Sequence, residues 1–129
     1  MSGEFYSSEA VLAPVPASYH VSAFEELMRS EDYLKCYMLE YGGETVGYAL
    51  LDITYCREAG GKEIWIEELY VRENFRDKGI GHAFFDFLER EENCKRFRLE
   101  TEKDNLRARK LYASVGYKEL PYLQLIKDV

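Results

Sequence analysis

The 129-residue chain lacks the features that mark membrane, secreted or disordered proteins. No apolar run approaches the ~18 residues that a membrane-spanning helix needs. The N-terminus, with Glu4 and Glu9 around Phe5 and Tyr6, has no basic start of a signal peptide. The composition, 47% hydrophobic and 32% charged, is that of a folded protein. We therefore expect a cytoplasmic protein with a single domain over residues 1–129, which is a usual domain size.

The chain has few cysteines, and its basic residues are outnumbered by acidic ones. Cys36, Cys56 and Cys94 form an odd set with no C-x-x-C spacing, which argues against a disulfide scaffold and against structural zinc. Neither His20 nor His82 has a second histidine or cysteine at ligand spacing, so we expect no metal. The 24 acidic residues against 17 basic ones give a net charge of −7. This excess excludes the generally basic surface that binds nucleic acid.

The N-terminal part of the chain predicts an irregular lead-in followed by a helix. Residues 1–19 show no periodicity and contain Pro14 and Pro16. Ser22 followed three residues later by Glu25 is a capping-box pattern, which predicts that the helix begins there. Its apolar stripe consists of Phe24, Leu27 and Met28.

The rest of the chain alternates between strand and helix patterns. Helical periodicity begins at Ile80 and again after Asp104, a candidate N-cap. Gly42 and Gly43 separate two strand patterns and predict a hairpin. Strands are predicted over 33–41, 45–55, 63–72, 96–101, 117–120 and 122–127. The resulting order, α-β-β-β-α-β-α-β-β, predicts an α/β fold built on a sheet.

The segment between strand 63–72 and the helix at Ile80 indicates a phosphate site. Gly79 and Gly81 remove side chains where a backbone must approach something closely. The free amides at the start of the helix carry partial positive charge and suit an anion. A tight turn without a ligand is the alternative, since the glycines match neither a P-loop nor a dinucleotide fingerprint. The segment reads Arg76, Asp77, Lys78, Gly79, Ile80, Gly81 and His82.

A second motif follows the next predicted strand, with Asn105, Ala108, Leu111 and Tyr112 at helical spacing. Together the two motifs resemble the GNAT family, the N-acetyltransferases that use acetyl-coenzyme A, over about residues 20–127. The resemblance implies the GNAT acyl-CoA N-acyltransferase fold, a mixed central sheet with splayed strands flanked by helices. Full members of the family begin with a further strand and helix, so this chain is expected to lack part of that unit.

The resemblance also assigns roles to residues. It implies that the diphosphate of coenzyme A lies on residues 76–82 and that Asn105 and Tyr112 face the cofactor. Without it, Asn105 would be only a helix cap and Tyr112 a core side chain. The pantetheine arm would pair with the end of the preceding strand, at Leu69, Tyr70 and Val71.

Acetyl transfer to an amine requires a proton acceptor and a proton donor for the leaving thiolate. Either Glu67 or Glu68 can accept the proton, and the Tyr112 hydroxyl can donate to sulfur. Strand alternation places Glu67 on one face with Trp65 and Leu69, and Glu68 on the other, so only one of the two carboxylates can face the thioester unless a bulge intervenes. Similarity to the polyamine acetyltransferases favours Glu67 as the base.

The sequence leaves the acceptor open among polyamines or diamines, amino acids, aminoglycoside-like compounds and protein amino groups. An acetyl-coenzyme A sensor without catalysis and a nucleotide-binding regulatory domain are the alternatives to an enzyme.

A missing first strand exposes unpaired backbone groups, so we also expect self-association as a homodimer.

Replacing Gly81 tests the phosphate turn. Gly81→Val should weaken acetyl-coenzyme A binding at least tenfold, about 1.4 kcal/mol, because a side chain there blocks close approach of the diphosphate. Calorimetry on the folded variant measures the change. An unchanged affinity would contradict the assignment.

Overall fold

A computed structural model describes residues 16–129. The four strands form one sheet in the order β1-β2-β3-β4, in which β1, β2 and β3 are antiparallel and β4 is parallel to β3. This mixed sheet with flanking helices confirms the predicted α/β class. The elements are α1 (Ala17–Arg29), β1 (Leu34–Tyr41), β2 (Glu44–Cys56), β3 (Gly61–Val71), a 3-10 turn (Glu73–Phe75), α2 (Ile80–Glu91), β4 (Arg96–Leu99) and α3 (Leu106–Ser114).

The main core lies between one face of the sheet and helices α2 and α3. The alternation of β2 and β3 places Leu51 and Ile64 on this face, where they pack with Phe85 and Leu88 of α2. Residues of α3 pack against the edge of the same cluster, although none of them is fully buried. Helices α2 and α3 therefore pack against the same face of the sheet.

The opposite face of the sheet has a smaller core. Tyr48 and Leu50 of β2 are buried there, and Leu27 of α1 packs against them. This face also carries carboxylates of β2 and β3, among them Asp52, Glu63 and Glu68, beside Trp65. Among the described residues, no helix is long and apolar enough to cross a membrane.

Helix α1 begins earlier than the sequence predicted. It starts at Ala17, directly after Pro16, whose restricted backbone suits the first turn of a helix. Ser22 is not a cap, because its hydroxyl donates to the carbonyl of Ser18 within the helix. Residues 17–19 are thus helical, while the predicted lead-in over 1–15 lies outside the described residues. Of the predicted stripe only Leu27 packs inward, since Phe24 and Met28 are exposed.

The C-terminal prediction is also wrong. Residues 117–120 and 122–127 have strand-forming sequences but are not in strands. Strand propensity expresses the fit of side chains to a pleated surface, and among residues 16–129 the segment has no neighbouring strand. The cap of α3 is Asn105 and not Asp104.

Gly47 allows β2 and β3 to approach closely at the end of β3. A β-carbon at Gly47 would clash with the Tyr70 carbonyl and lie 3.1 Å from the Val71 Cα. Gly47→Ala should lower the free energy of unfolding by about 1–3 kcal/mol, measured by urea denaturation. Gly61→Ala is the matched control, because its β-carbon meets only the Lys95 side chain, which can rotate away. Equal losses in both variants would contradict this reading of Gly47.

Candidate functional site

Strands β3 and β4 pair over a short length and then separate. Glu63–Ile66 lies beside Arg96–Leu99, whereas residues 68–71 pair only with β2 and residue 67 pairs with neither strand. The other edge of residues 67–71 therefore keeps main-chain donors and acceptors that face a gap between the strands. This is the splayed arrangement that the sequence resemblance implied.

A β-bulge lies where the separation begins. Leu51 pairs with Ile66 and Leu50 pairs with Glu68, which leaves Glu67 without a partner on β2. The extra residue shifts the alternation, so that Leu69 joins the main core with Ile66. The bulge is the exception that the alternation argument allowed, and because of it Leu69 does not share a face with Glu67 and Trp65.

A cavity of about 480 Å³ lies at the end of β3, between the glycine turn and α3. Every predicted cofactor residue lines it except Lys78, whose ammonium group lies over the Tyr41 ring at 5.7 Å. The predicted residues that line it are Leu69, Tyr70, Val71, Arg76, Asp77, Gly79, Ile80, Gly81, His82, Asn105 and Tyr112. The sequence did not assign Phe75, Arg107, Ala108, Lys110, Leu111 and Ser114 to the cofactor.

The first turn of α2 opens into this cavity without a side-chain cap. Gly79 is the N-cap in a left-handed conformation, with φ of 78°, and has no side chain to satisfy the helix amides. The first helical hydrogen bond runs from the Ala83 amide to the Gly79 carbonyl. The amides of residues 80–82 have no intrahelical acceptor, and this turn contains no acidic residue. Such a helix start is suited to an anionic ligand.

The side chains around the cavity add positive charge to an acidic protein. Arg76, Arg107 and Lys110 line it, against the single carboxylate of Asp77. Arg107 forms an ion pair with Asp77 at 3.0 Å, which links α3 to the glycine turn. The Arg76 Nε donates to the Val71 carbonyl at 2.8 Å and fixes the turn to the end of β3. The local charge favours a ligand with several negative groups.

Gly81 also has a packing role that the sequence did not reveal. A β-carbon there would lie 2.8 Å from a methyl group of Leu111 on α3. Gly81 thus brings α2 and α3 close together, while His82 Nε2 contacts the Ser114 hydroxyl at 2.9 Å. The binding loss expected of Gly81→Val therefore has a second cause, displacement of α3.

Three carboxylates meet on the polar face of the sheet near the bulge. Glu68 is buried and accepts a hydrogen bond from the Tyr48 hydroxyl at 2.7 Å. Glu67 is partly exposed and shares a hydrogen bond with Asp52 of β2. Burial, followed by the contact with Asp52, raises the pKa of Glu67 to about 7. Burial also raises the pKa of Asp52, so the Asp52–Glu67 pair retains a proton more readily than two separate carboxylates.

No sequence pattern pointed to Asp52 as a site residue. It precedes Glu67 by 15 residues, and only the pairing of β2 with the bulged β3 brings the two together. Among the described residues, no group of three or more His, Cys, Asp or Glu could hold a metal ion. The three cysteines are free thiols, as the sequence indicated.

Tyr112 and Asn105 position α3 beside the cavity. The Asn105 Oδ1 accepts a hydrogen bond from the Ala108 amide at 3.3 Å, so the helix-cap role is real even though Asn105 also lines the cavity. The Tyr112 ring packs edge-on against Phe85 at 5.8 Å. Burial raises the pKa of Tyr112, so its phenol remains protonated at neutral pH and can act as a proton donor.

Comparison with known proteins agrees with this geometry. The Acetyltransferase (GNAT) family matches residues 4–117, and the chain belongs to that family. It is 33% identical over 85 residues, 62% of this chain, to an uncharacterized N-acetyltransferase in the pepI 3′ region of Lactobacillus delbrueckii subsp. lactis. The chain matches 49% of that relative, about half its length.

Solved structures share the fold at low identity. A possible acetyltransferase from Clostridium difficile 630 is 22% identical, with a TM-score of 0.75 over 89% of this chain and 78% of that one. The aminoglycoside N-acetyltransferase AAC(6′)-Iy, in complex with coenzyme A, is 17% identical, with a TM-score of 0.75 over 97% of this chain and 82% of that one. Both matches establish the architecture.

Removal of Asp52 tests the carboxylate pair. In Asp52→Asn the pKa of Glu67 should fall below its value of about 7, because the neighbouring carboxylate that favours protonation is lost. It should stay above the ordinary glutamate value, since burial remains. Carboxyl ¹³C NMR titration, with the Glu67 signal assigned through Glu67→Gln, measures both values. Asp77→Asn is the control, and an unchanged Glu67 titration in Asp52→Asn would contradict the pairing.

Proposed function

We propose that the protein transfers the acetyl group of acetyl-coenzyme A to a primary amine of a small molecule. The observation that carries this proposal is the cavity at the end of β3, where uncapped helix amides and three cationic side chains adjoin a strand edge that β4 does not cover. A coenzyme A molecule has the matching sequence of groups, a diphosphate joined to an arm with two amides.

A cytoplasmic location and a homodimer, both expected from the sequence, remain predictions.

The strand edge accounts for the pantetheine arm. Residues 67–71 have no strand on the side that faces β4, so an extended arm can form main-chain hydrogen bonds there as an added strand would. The arm then leads from the glycine turn back toward the bulge. The acetyl group would arrive beside Glu67, on the face that carries the carboxylates.

The Asp52–Glu67 pair supplies the base in this proposal. An amine attacks only when it has lost a proton, and a carboxylate with a pKa of about 7 accepts that proton near neutral pH. Glu68 is less suited, because it is buried and already accepts the Tyr48 hydroxyl. The proton can reach Glu67 directly or through a water molecule.

Tyr112 supplies the acid. The amine nitrogen forms a bond to the thioester carbon, and collapse of the tetrahedral intermediate breaks the carbon–sulfur bond. The leaving thiolate takes the Tyr112 hydroxyl proton, which the buried ring holds at neutral pH. A backbone amide near Val71 would polarise the carbonyl oxygen during the attack. Transfer is direct, within a complex that holds both substrates.

The acceptor that this site favours is a small molecule with more than one positive charge. Asp52, Glu67 and Glu68 gather on one face beside Trp65, so a second ammonium group can pair with a carboxylate while the first one reacts. Polyamines, diamines and aminoglycosides have this character, and the aminoglycoside enzyme AAC(6′)-Iy among the structural relatives supports a small-molecule acceptor. Amino acids, with one amine and a carboxylate, fit less well.

A thiol-release assay tests the proposal on a panel of polyamines, diamines, aminoglycosides and amino acids. We expect turnover with acetyl-coenzyme A, and initial rates whose double-reciprocal plots intersect as direct transfer requires. Parallel plots would instead indicate an acetylated enzyme. Binding of acetyl-coenzyme A by calorimetry without turnover on any amine would favour a sensor, and nucleotide binding without coenzyme A binding would favour a regulatory domain.

Substitutions of Tyr112, Glu67 and Glu68 test which side chain donates a proton and which one accepts it. Tyr112→Phe should lower turnover roughly tenfold to a thousandfold with little change in cofactor affinity, because the hydroxyl acts in the transition state. Glu67→Gln should reduce the rate mainly below the pKa of the amine, where a base is needed. Glu68→Gln is the matched control and should have the smaller effect. Full turnover by Tyr112→Phe, with chemistry rate-limiting, would exclude the acid role.

A further inference from the structure

Asp77 has an unusual backbone conformation within the glycine turn. Among residues 16–129 it is the only residue other than glycine with a positive φ, at 62°. Most side chains disfavour this left-handed conformation, and aspartate and asparagine tolerate it better than others do. Asparagine or glycine would therefore suit the backbone equally well, so the shape of the turn does not require a carboxylate.

The Asp77 carboxylate has a cationic partner on α3. Its Oδ1 lies 3.0 Å from an Nη atom of Arg107, and both residues line the cavity at the end of β3. Asp77 is the only acidic residue of the cavity wall within the described part of the chain. The Asp77 side chain is 87% exposed and that of Arg107 is 48% exposed. An ion pair so open to water adds little stability, so either partner can be exchanged at small cost.

Arg107 is freer to change partners than Arg76 is. The Arg76 Nε donates to the Val71 carbonyl, and its guanidinium lies over the Tyr70 ring at 5.7 Å, so the end of β3 holds this side chain. Within residues 16–129, the ion pair with Asp77 is the only one that Arg107 forms. Arg107 is therefore the arginine of the cavity wall that can exchange a carboxylate for another anion.

A bound polyanion competes with Asp77. Coenzyme A carries a diphosphate and a further phosphate on its ribose, and the uncapped amides of residues 80–82 lie just after the turn that contains Asp77. Phosphates in this turn repel a neighbouring carboxylate. They also attract Arg107 more strongly than Asp77 does, because a phosphate carries more negative charge and suits the guanidinium fork.

We propose that Asp77 is the counter-ion of Arg107 in the free protein and that a phosphate of the bound cofactor displaces it. Arg107 then pairs with the phosphate, and the Asp77 carboxylate turns to water. This inference rests on the proposed use of acetyl-coenzyme A, and it adds to the site a residue that limits the affinity for the cofactor.

The displacement has two opposite effects on binding. In the free protein the ion pair holds the Arg107 guanidinium beside the turn, so the cation is in place when the cofactor arrives. Binding must, however, break this pair and bring phosphates close to a carboxylate, which lowers the affinity. Acetyl-coenzyme A and coenzyme A carry the same phosphates, so Asp77 weakens the binding of both by the same factor. Asp77 thus also favours release of coenzyme A after transfer.

Calorimetry with acetyl-coenzyme A and with coenzyme A tests the role of Asp77. Asp77→Asn should bind both ligands roughly three- to fivefold more tightly than the wild type, because asparagine keeps the left-handed turn and removes the charge. Asp86→Asn is the matched control, since it removes the same charge from an exposed position of α2 outside the cavity and should leave both affinities unchanged. An unchanged or weaker affinity in Asp77→Asn would overturn the proposal.

The double variant Asp77→Asn/Arg107→Gln separates displacement from simple charge repulsion. Arg107→Gln alone should weaken binding, because the phosphate loses its partner. In that background the gain from Asp77→Asn should be smaller than in the wild type, since no ion pair has to be broken. Equal gains in both backgrounds, or a complex with coenzyme A in which Arg107 still pairs with Asp77, would refute the displacement.

The same measurements separate this inference from the proposed function. A wild-type chain that binds acetyl-coenzyme A with an affinity that Asp77→Asn does not change refutes the inference alone. The expected gain in affinity, without acetyl transfer to any amine of the panel, supports the displacement and refutes the enzymatic function. Failure of the wild type and of every variant to bind either ligand refutes both.

Discussion

The pairing of β2 with β3 slips by one residue at Glu67, and the arrangement of the site depends on this slip. A regular strand would continue to alternate and would place Glu67 and Glu68 on opposite faces. The bulge instead removes Glu67 from the ladder, brings it to Asp52 and returns Leu69 to the main core. It also lies where β3 parts from β4, so a single extra residue determines both the carboxylate pair and the start of the open strand edge.

The walls of the cavity are held in place by contacts between the glycine turn, the end of β3 and α3. Gly79 allows the left-handed turn into α2, Arg76 ties that turn to the Val71 carbonyl, and Gly81 leaves room for Leu111 of α3. The resulting pocket is cationic although the whole protein is acidic, because Arg76, Arg107 and Lys110 converge on it. Net charge alone therefore says little about the ligand that one site prefers.

The parts of the molecule that could be predicted are those with local signals. The hairpin at Gly42 and Gly43 and the start of α2 at Ile80 were predictable because glycines and helical periodicity act over a few residues. The glycine turn and the motif around Tyr112 likewise identified most of the cavity wall. The Asp52–Glu67 contact was not predictable, because the bulge brings together two residues distant in sequence. The start of α1 was missed although Pro16 marks it locally, and the C-terminal segment was mispredicted because its strand propensity finds no neighbouring strand among residues 16–129.

Helix α3 is the least anchored wall of the site, and this has a consequence for its dynamics. None of its nine residues is fully buried, and its links to the glycine turn and to α2 include one surface ion pair and the His82–Ser114 contact. Segments with so little buried surface open at a lower free energy than the core does. A ligand that contacts both the glycine turn and α3 binds only the form in which α3 is folded against the rest of the protein. At a ligand concentration of a hundred times the dissociation constant, it stabilises that form by about 2.7 kcal/mol. Ligand binding in the cavity and the local folding of α3 are then thermodynamically coupled, so that each one favours the other.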